Sequence, residues 1–261
     1  TLEPSVQAPV HGLFIDGRDV PANGGALLDV INPATGSLLA QIGHASDDDV
    51  DRAVRSSQAA FESPEWANMS NRTRARLINK LADVFEANLD EMYQLETANN
   101  GRSLNETRAQ ISRLPDFLRY NAGLAIARRD AVIPVDGNYL NYTLRTPIGV
   151  VGNSTPFNHP LMIMIKSLAP TLASGCTTVV KPSEYTPLTT LRLAKLFVDA
   201  GLPPGCFNVI TGLGPTTGKA LAQHPGLAKW VLTGGTEAGR ITGALAGNNF
   251  AHQTLELGGK T

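Results

Sequence analysis

The sequence predicts an α/β fold: an open parallel sheet with helices on both faces, plus an N-terminal helical region and a projecting β-hairpin. Three observations point there. From Ile148 to the end, strand-like and helix-like stretches alternate across short links, the βαβ pattern of a parallel sheet. The strand-like stretches are short, rich in Val and Ile and flanked by Gly and Pro, as strands with both faces covered tend to be. Each of them runs out into a motif of small and polar residues, and open α/β sheets collect ligands at the carboxyl ends of their strands.

Taken in order, the first region, residues 2–130, opens on turn-punctuated runs. Leu13-Phe14-Ile15 and Leu27 to Ile31 have strand character, and Asp16-Gly17, Asn32-Pro33 and Thr35-Gly36 mark turns. Ser46 is placed to cap a helix carrying Val50, Ala53, Val54 and Phe61 on one face. Ser70 begins another, with Leu77, Leu81, Val84 and Phe85 at helical spacing. Leu89–Thr97 and Asn105–Ala127 extend the helical region, and Pro115 is expected to kink or restart the last helix. The second region, Ala131–Pro147, reads as an exposed strand pair bearing Tyr139, Tyr142, Leu144 and Arg145. In the third region strands are expected at Ile148–Gly152, Thr177–Val180, Phe207–Ile210, Lys229–Leu232 and Thr254–Leu257. Helices are expected at about Pro160–Ala173, Leu188–Ala200, Thr216–Gln223 and Glu237–Ala246.

Composition narrows the function classes. The 261 residues carry 22 Lys+Arg against 23 Asp+Glu, a net charge of −1. With no basic block, neither a nucleic-acid nor a membrane-surface partner is expected. Two cysteines are too few for a disulfide framework, which favours a reducing, cytoplasmic setting. Residues 1–10 lack the basic start and apolar core of a signal peptide. The most apolar run, Leu161 to Leu172, contains Lys166 and Pro170, is too short to span a bilayer, and is read as a buried helix.

Five motifs sit at the expected strand ends. In Asn153-Ser154-Thr155-Pro156-Phe157-Asn158-His159-Pro160, Pro160 suits a first helical turn. Asn158 just before it either caps the helix or offers its side-chain NH2 to a developing oxyanion. His159 is a turn or wall residue, since no cluster of metal-ligand types surrounds it in sequence. In Val180-Lys181-Pro182-Ser183-Glu184, Lys181 and Glu184 form either a solvated ion pair or a grip on ribose hydroxyls. A carboxylate there favours NAD over NADP, because it repels a 2′-phosphate. Thr211-Gly212-Leu213-Gly214-Pro215-Thr216-Thr217-Gly218 departs from G-x-G-x-x-G. It is a plain turn or one that lines an adenine with Gly214 and Gly218.

The last two motifs carry more weight. Leu232-Thr233-Gly234-Gly235-Thr236-Glu237-Ala238-Gly239 follows a strand and opens a helix. Its small residues let backbone approach a pyrophosphate, and helix N-terminal amides favour anions. In Leu255-Glu256-Leu257-Gly258-Gly259-Lys260, Glu256 stands inside an apolar strand. A buried carboxylate at a strand end has the surroundings of a general base; an edge-strand Glu facing water is the alternative.

Taken together, Thr155-Pro156-Phe157-Asn158, Val180-Lys181-Pro182-Ser183-Glu184, Leu232-Thr233-Gly234-Gly235-Thr236 and Glu256-Leu257-Gly258-Gly259-Lys260 resemble, in the same order, the motifs of the aldehyde dehydrogenase superfamily. Ile31-Asn32-Pro33-Ala34-Thr35-Gly36 is similar to that family's opening. The resemblance covers nearly the whole chain. It implies a Rossmann-like nucleotide domain over residues 1–130 and 148–261 and a bridging, subunit-joining hairpin over 131–147. It also implies oxidation of a small-molecule aldehyde to the acid by way of a cysteine thioester, with hydride passing to NAD, or less favourably NADP. Asn158 would donate to the oxyanion and Glu256 would activate the thiol or water. The cofactor-facing set would be Thr155, Pro156, Lys181, Ser183, Glu184, Gly214, Gly218, Thr233, Gly234, Gly235, Thr236, Gly239 and Leu257. No metal is implied.

Three departures shape what is expected. The family usually has Ser where Gly235 stands. It often has a Lys where Ser167 stands, whereas Lys166 is turned about 100° around the helix. The family's nucleophilic cysteine lies beyond Thr261, and Cys176 and Cys206 read as small core residues. The chain is therefore expected to lack turnover without a C-terminal catalytic domain, and to be a homo-oligomer when complete. The alternatives are a catalytically dead nucleotide-binding module and an acyl-phosphate or acyl-CoA-linked reductase. Such reductases often lack the base, so Glu256 argues against the second.

Overall fold

The structure is a computed structural model that describes residues 8–260; the leader question at residues 1–7 and the chain end at Thr261 lie outside the described residues. Five short strands open it: β1 (Val10–His11), β2 (Leu13–Ile15), β3 (Arg18–Val20), β4 (Leu27–Ile31) and β5 (Leu38–Gly43). β1, β5 and β4 make a small three-stranded sheet. β2 and β3 form a hairpin whose turn, Asp16-Gly17, takes positive φ at both residues (55° and 72°), the geometry two-residue hairpin loops demand.

Six helices follow: α1 (Asp47–Glu62), α2 (Pro64–Ala67), α3 (Asn71–Ala87), α4 (Leu89–Asn100), α5 (Leu104–Ile111) and α6 (Leu114–Ala127). The expected caps are present. Ser46 forms a capping box with Asp49 at α1, and Ser70 accepts from Thr73 N–H at α3. The helical stretch expected over 105–127 restarts as expected at Pro115, which sits in the first turn of α6. Proline is tolerated there because that turn has no N–H partner to lose. A two-stranded ribbon comes next, β6 (Val132–Ile133) paired antiparallel with β7 (Asn141–Tyr142). Val132, Tyr139, Leu140 and Leu144 on this arm are exposed.

The last region alternates β8 (Val150–Ser154), α7 (Pro160–Ser174), β9 (Thr177–Lys181), α8 (Leu188–Asp199), β10 (Phe207–Val209), a π-helical turn at Gly214–Gly218, α9 (Lys219–Ala222), β11 (Leu227–Thr233), α10 (Thr236–Asn248) and β12 (His252–Glu256). The main sheet has the order β12-β11-β8-β9-β10-β2-β3. From β12 to β10 neighbours are parallel, and β2 adds antiparallel to β10. The parallel sheet is thus extended by a hairpin from the first region, which residues 13–20 alone do not announce.

Both faces of the central strands are covered. Ile78, Leu81, Phe85, Leu118, Leu168 and Phe197 pack one face through α3, α6, α7 and α8. Val50, Val54, Leu221, Trp230 and Leu232 pack the other with α1, α9 and α10. β8 begins two residues later than expected, after Gly149 at φ 125°, so Asn153 and Ser154 are strand rather than loop. The helix expected over 216–223 is a π turn followed by the short α9. Among the described residues, no helix is long and apolar enough to cross a membrane.

Candidate active site

Register aligns the strand ends. Ser154 pairs with Lys181 and with Leu232, and Thr233 pairs with Glu256. All five motifs therefore leave the sheet along one edge. Thr155 is buried, donates its N–H to Lys181 O at 3.2 Å, and keeps an Oγ1 without a partner. Pro156 and the exposed Phe157 follow, the Phe157 ring standing edge-on to Tyr185 at 6.3 Å.

Asn158 is exposed, and it does not cap α7. His159 holds the N-cap position without a side-chain cap, and Asn158 Oδ1 merely accepts from the His159 N–H at 2.9 Å. That bond uses the oxygen and leaves the NH2 group of Asn158 without a partner among the described residues. The backbone here is clamped from α4: Asn100 Nδ2 donates to Phe157 O at 2.8 Å and to Asn158 O at 3.0 Å.

Lys181 is only 3 % exposed, which removes the solvated ion pair as an account of it. Its Nζ donates to Pro182 O and Gly212 O, both at 2.9 Å. Glu184 Oε2 lies 3.7 Å away, long for a hydrogen bond. Among the described residues, one ammonium hydrogen is therefore left for a further acceptor beside a half-buried carboxylate. Burial pulls the Lys181 ammonium below the ordinary lysine range, against the pull of Glu184. Ser183 is buried next to the pair and accepts weakly from Tyr185 N–H. Gly218 packs on the Lys181 stem, where a Cβ would come within 3.3 Å of Cε. Gly214 opens the π turn with free space around it; single π turns recur at functional sites.

The turn after β11 forms the N-terminus of α10. Gly234 N–H donates to Glu256 O at 3.0 Å, which ties this turn to the end of β12. Gly235 precedes the helix without a side-chain cap, and a Cβ there would meet nothing within 4 Å. The first amides of α10, from Thr236 onward, thus follow open space at Gly235. Gly239 is required by packing: a Cβ there would stand 2.3 Å from Leu257 Cδ2. This close helix–strand approach holds the α10 N-terminus at the sheet edge.

Glu256 corrects an expectation. It is exposed, not buried. Its neighbours Leu255 and Leu257 lie against α10 at Gly243 and Gly239, so strand alternation turns Glu256 to the opposite face. There it lines a groove of about 790 Å³ with Asn153, Thr233, Thr254, Met162 and Lys166. The groove exists because α7 covers β8 but stops short of β11 and β12. Asn158 lies one residue before the N-cap of α7, His159, and is not among the residues that line this groove. Ser167 also lines the groove.

The cysteines are structural. Cys176 is buried, with Sγ 3.4 Å from Ile148 N. Cys206 is buried, and burial pushes its thiol well above the usual range. Among the described residues, no cluster of His, Cys, Asp and Glu is placed to hold a metal ion.

Sequence reasoning missed the braces behind the site. Glu96 on α4, 1 % exposed, accepts from Thr189 Oγ1 at 2.7 Å and from Leu161 N–H at 3.4 Å. Asn99 donates to Tyr185 O and accepts from Leu188 N–H. The end of α4 thus fastens both the 155–161 and 183–189 segments. The signal was present: Met92, Glu96 and Asn99 share one helix face, so polar groups sit on a buried stripe.

A sequence model of the Aldehyde dehydrogenase family matches residues 20–261. The phenylacetaldehyde dehydrogenase of Pseudomonas fluorescens is 42% identical over 258 residues, which cover 96% of this chain and 51% of that protein. The mitochondrial aldehyde dehydrogenase family 2 member B4 of Arabidopsis thaliana is 39% identical, over 100% of this chain and 49% of its own length. Among solved structures, the NAD+ complex of an aldehyde dehydrogenase from Bacillus cereus superposes with a TM-score of 0.94 at 40% identity, covering 100% of this chain and 54% of that one. The chain spans about half the length of the curated relatives it matches. Family match, identity and superposition agree with the order of motifs along one sheet edge: this chain belongs to the aldehyde dehydrogenase family.

Proposed function

We propose that the chain is the cofactor-binding half of an enzyme that oxidises an aldehyde to a carboxylic acid with NAD, NADP being the weaker cofactor. The observation that carries this is the shared edge: an exposed Asn158 amide, a buried ammonium beside a half-buried carboxylate, an uncapped helix N-terminus and a groove-lining carboxylate. A dinucleotide fits what is there. The open space at Gly235 and the unpartnered Thr155 hydroxyl are features that a bound phosphate and sugar would use.

In this account Lys181 and Glu184 hold the adenosine ribose, with Ser183 beside them, and the Glu184 carboxylate disfavours a 2′-phosphate. Gly214 and Gly218 line the adenine side. Thr233, Gly234, Gly235 and Thr236 present the α10 amides to the pyrophosphate, at a helix end suited to negative charge. Gly239 admits Leu257, which with Thr155 and Pro156 walls the path toward Asn158. Asn158 donates to the oxyanion that forms on the aldehyde oxygen. Glu256 takes the proton from the attacking thiol or water. The bound nicotinamide supplies the hydride acceptor. Cys206 is enclosed in the core, and Cys176 is a buried residue on the groove wall that accepts from the Ile148 N–H; the nucleophile is assigned to a catalytic domain outside residues 1–261. In the same proposal residues 1–130 and 148–261 form the NAD domain, the 131–147 arm joins subunits in the complete oligomer, and a reducing, cytoplasmic setting suits a chain with two cysteines.

The test is NADH formation from an aldehyde. The full-length gene product is expected to show thiol-dependent turnover, and purified residues 1–261, verified by intact mass, none. No turnover by the full-length product overturns the assignment, and turnover by the 261-residue chain overturns its inactivity. Gly235→Ser is a further check. The added hydroxyl meets no clash and sits at the N-cap, so it is expected to stabilise the fold by a few tenths of a kcal/mol. It is also expected to tighten NAD in calorimetric titration; weaker binding would show that the bend does not face phosphate.

A further inference from the structure

A set of polar side chains beside Asn158 remains unused by the chemistry above. Asn100, which clamps the Asn158 carbonyl, also accepts from the Arg102 N–H at 3.1 Å through Oδ1. This places Arg102 against the Asn158 loop. The Arg102 guanidinium donates to Gln110 Oε1 at 2.9 Å and to His159 Nδ1, and Gln110 Nε2 reaches the same Nδ1 at 2.7 Å. These contacts hold the His159 ring against Arg102 and Gln110. Burial, with Arg102 and Lys166 close by, also holds its pKa below the usual histidine value against the opposing pull of Glu106. Arg119 and Arg192 pair with carboxylates. Among the described residues, neither Arg102 nor Lys166 has a carboxylate oxygen within 4.0 Å of a side-chain nitrogen.

The two cations are joined by one helix face. His159, Met162, Ile163 and Lys166 follow the i, i+3, i+4, i+7 spacing along α7. Met162, Ile163 and Lys166 line the groove with Glu256. A short apolar surface therefore lies between an ordered guanidinium beside Asn158 and an ammonium further along. Asn153, 1 % exposed, keeps an Nδ2 without a hydrogen-bond partner among the described residues, on the wall of the same groove. Unpaired buried donors are uncommon, and this one independently points to a polar acceptor entering there.

We infer that the substrate is an aldehyde with a second, anionic end: a carboxylate that docks on Arg102, with Lys166 as a second positive charge and a short hydrocarbon linker on Met162 and Ile163. This rests on the dehydrogenase assignment and names its substrate class. Arg102, Gln110 and Lys166 are specificity residues here; Asn158 and Glu256 keep the chemistry.

The experiment compares, in the full-length gene product, kcat/KM for a short linear ω-carboxyaldehyde and for its methyl ester, alike in length and differing in charge. The acid is expected to be preferred by about tenfold or more, as a charge-assisted hydrogen bond supports. Added salt should raise its KM selectively. Arg102→Gln and Lys166→Gln are each expected to shrink the preference toward unity, with Arg102→Lys retaining part of it. Lys166 is exposed, so its variant keeps the test alive where Arg102→Gln fails to fold. Equal kcat/KM for acid and ester, or variants that change both in proportion, overturn the inference while leaving the dehydrogenase assignment standing. Oxidation of neither compound overturns both. An altered KM for NAD with unchanged acid preference would assign Arg102 to the cofactor and also overturn it.

Discussion

Asn158→Ala is expected to lower kcat of the full-length enzyme about 10²–10³-fold, roughly 3 kcal/mol of transition-state stabilisation, as removal of one oxyanion donor does elsewhere. Stability should hardly move, within about 0.5 kcal/mol, because an exposed side chain outside the core is being shortened. The structure explains the separation. Among the described residues, the one hydrogen bond of the Asn158 side chain is to the N–H of its own neighbour. The loop is held instead by Asn100 through the carbonyls of Phe157 and Asn158, which an alanine keeps. Steady-state kinetics beside a thermal melt reads both effects. A kcat equal to the parent would remove the oxyanion role; a large fall in melting temperature would make Asn158 a structural residue.

The second large effect is pH-dependent. Glu96 is almost wholly buried, and desolvation pushes its pKa up to about 7, against hydrogen bonds from Thr189 and Leu161 and the charge of Arg102. The folded state therefore holds a proton that the unfolded chain releases near 4.5. Stability contributed by that proton is complete below about pH 4.5, falls as pH rises through 7, and is flat above. A shift of this size corresponds to about 3 kcal/mol. Glu96→Gln cannot titrate. The difference in unfolding free energy between variant and parent is expected to move in the variant's favour from pH 5 to pH 8. Denaturant titration at both pH values measures it, and parallel profiles would contradict the assignment. The effect reaches the site, because Glu96 pins the first turn of α7 at Leu161.

The parts of the fold that were legible in sequence are those with local causes. Ser46 and Ser70 announce their helices through capping chemistry, and the Gly- and Thr-rich stretch at 233–239 announces a strand-to-helix turn. What stayed hidden depends on distant partners. Residues 13–15 read as a strand, but their place beside β10 rests on a pairing between Phe14 and Val209, which no local pattern encodes. The start of β8 slipped by two residues because Gly149 adopts φ 125°, open to glycine but not written in its neighbours. Glu256 was misplaced for a period-2 reason. The flanking leucines report on the α10 face, and the carboxylate points to the other, whose cover these residues do not supply. Lys181 was predicted at the sheet edge, yet its contact with Gly218 of the π turn and its carbonyl acceptors at Pro182 and Gly212 emerge only from the fold.

The central claim is that the carboxyl edge of the sheet is a nucleotide cleft. Hydrogen–deuterium exchange of residues 1–261, with and without NAD, tests it most directly. The account predicts slower exchange at 181–186, 212–218 and 234–239, where amides face the proposed cleft, with the 131–147 arm unaffected. Unchanged exchange at all three segments under saturating NAD, or protection confined to other surfaces, would contradict it.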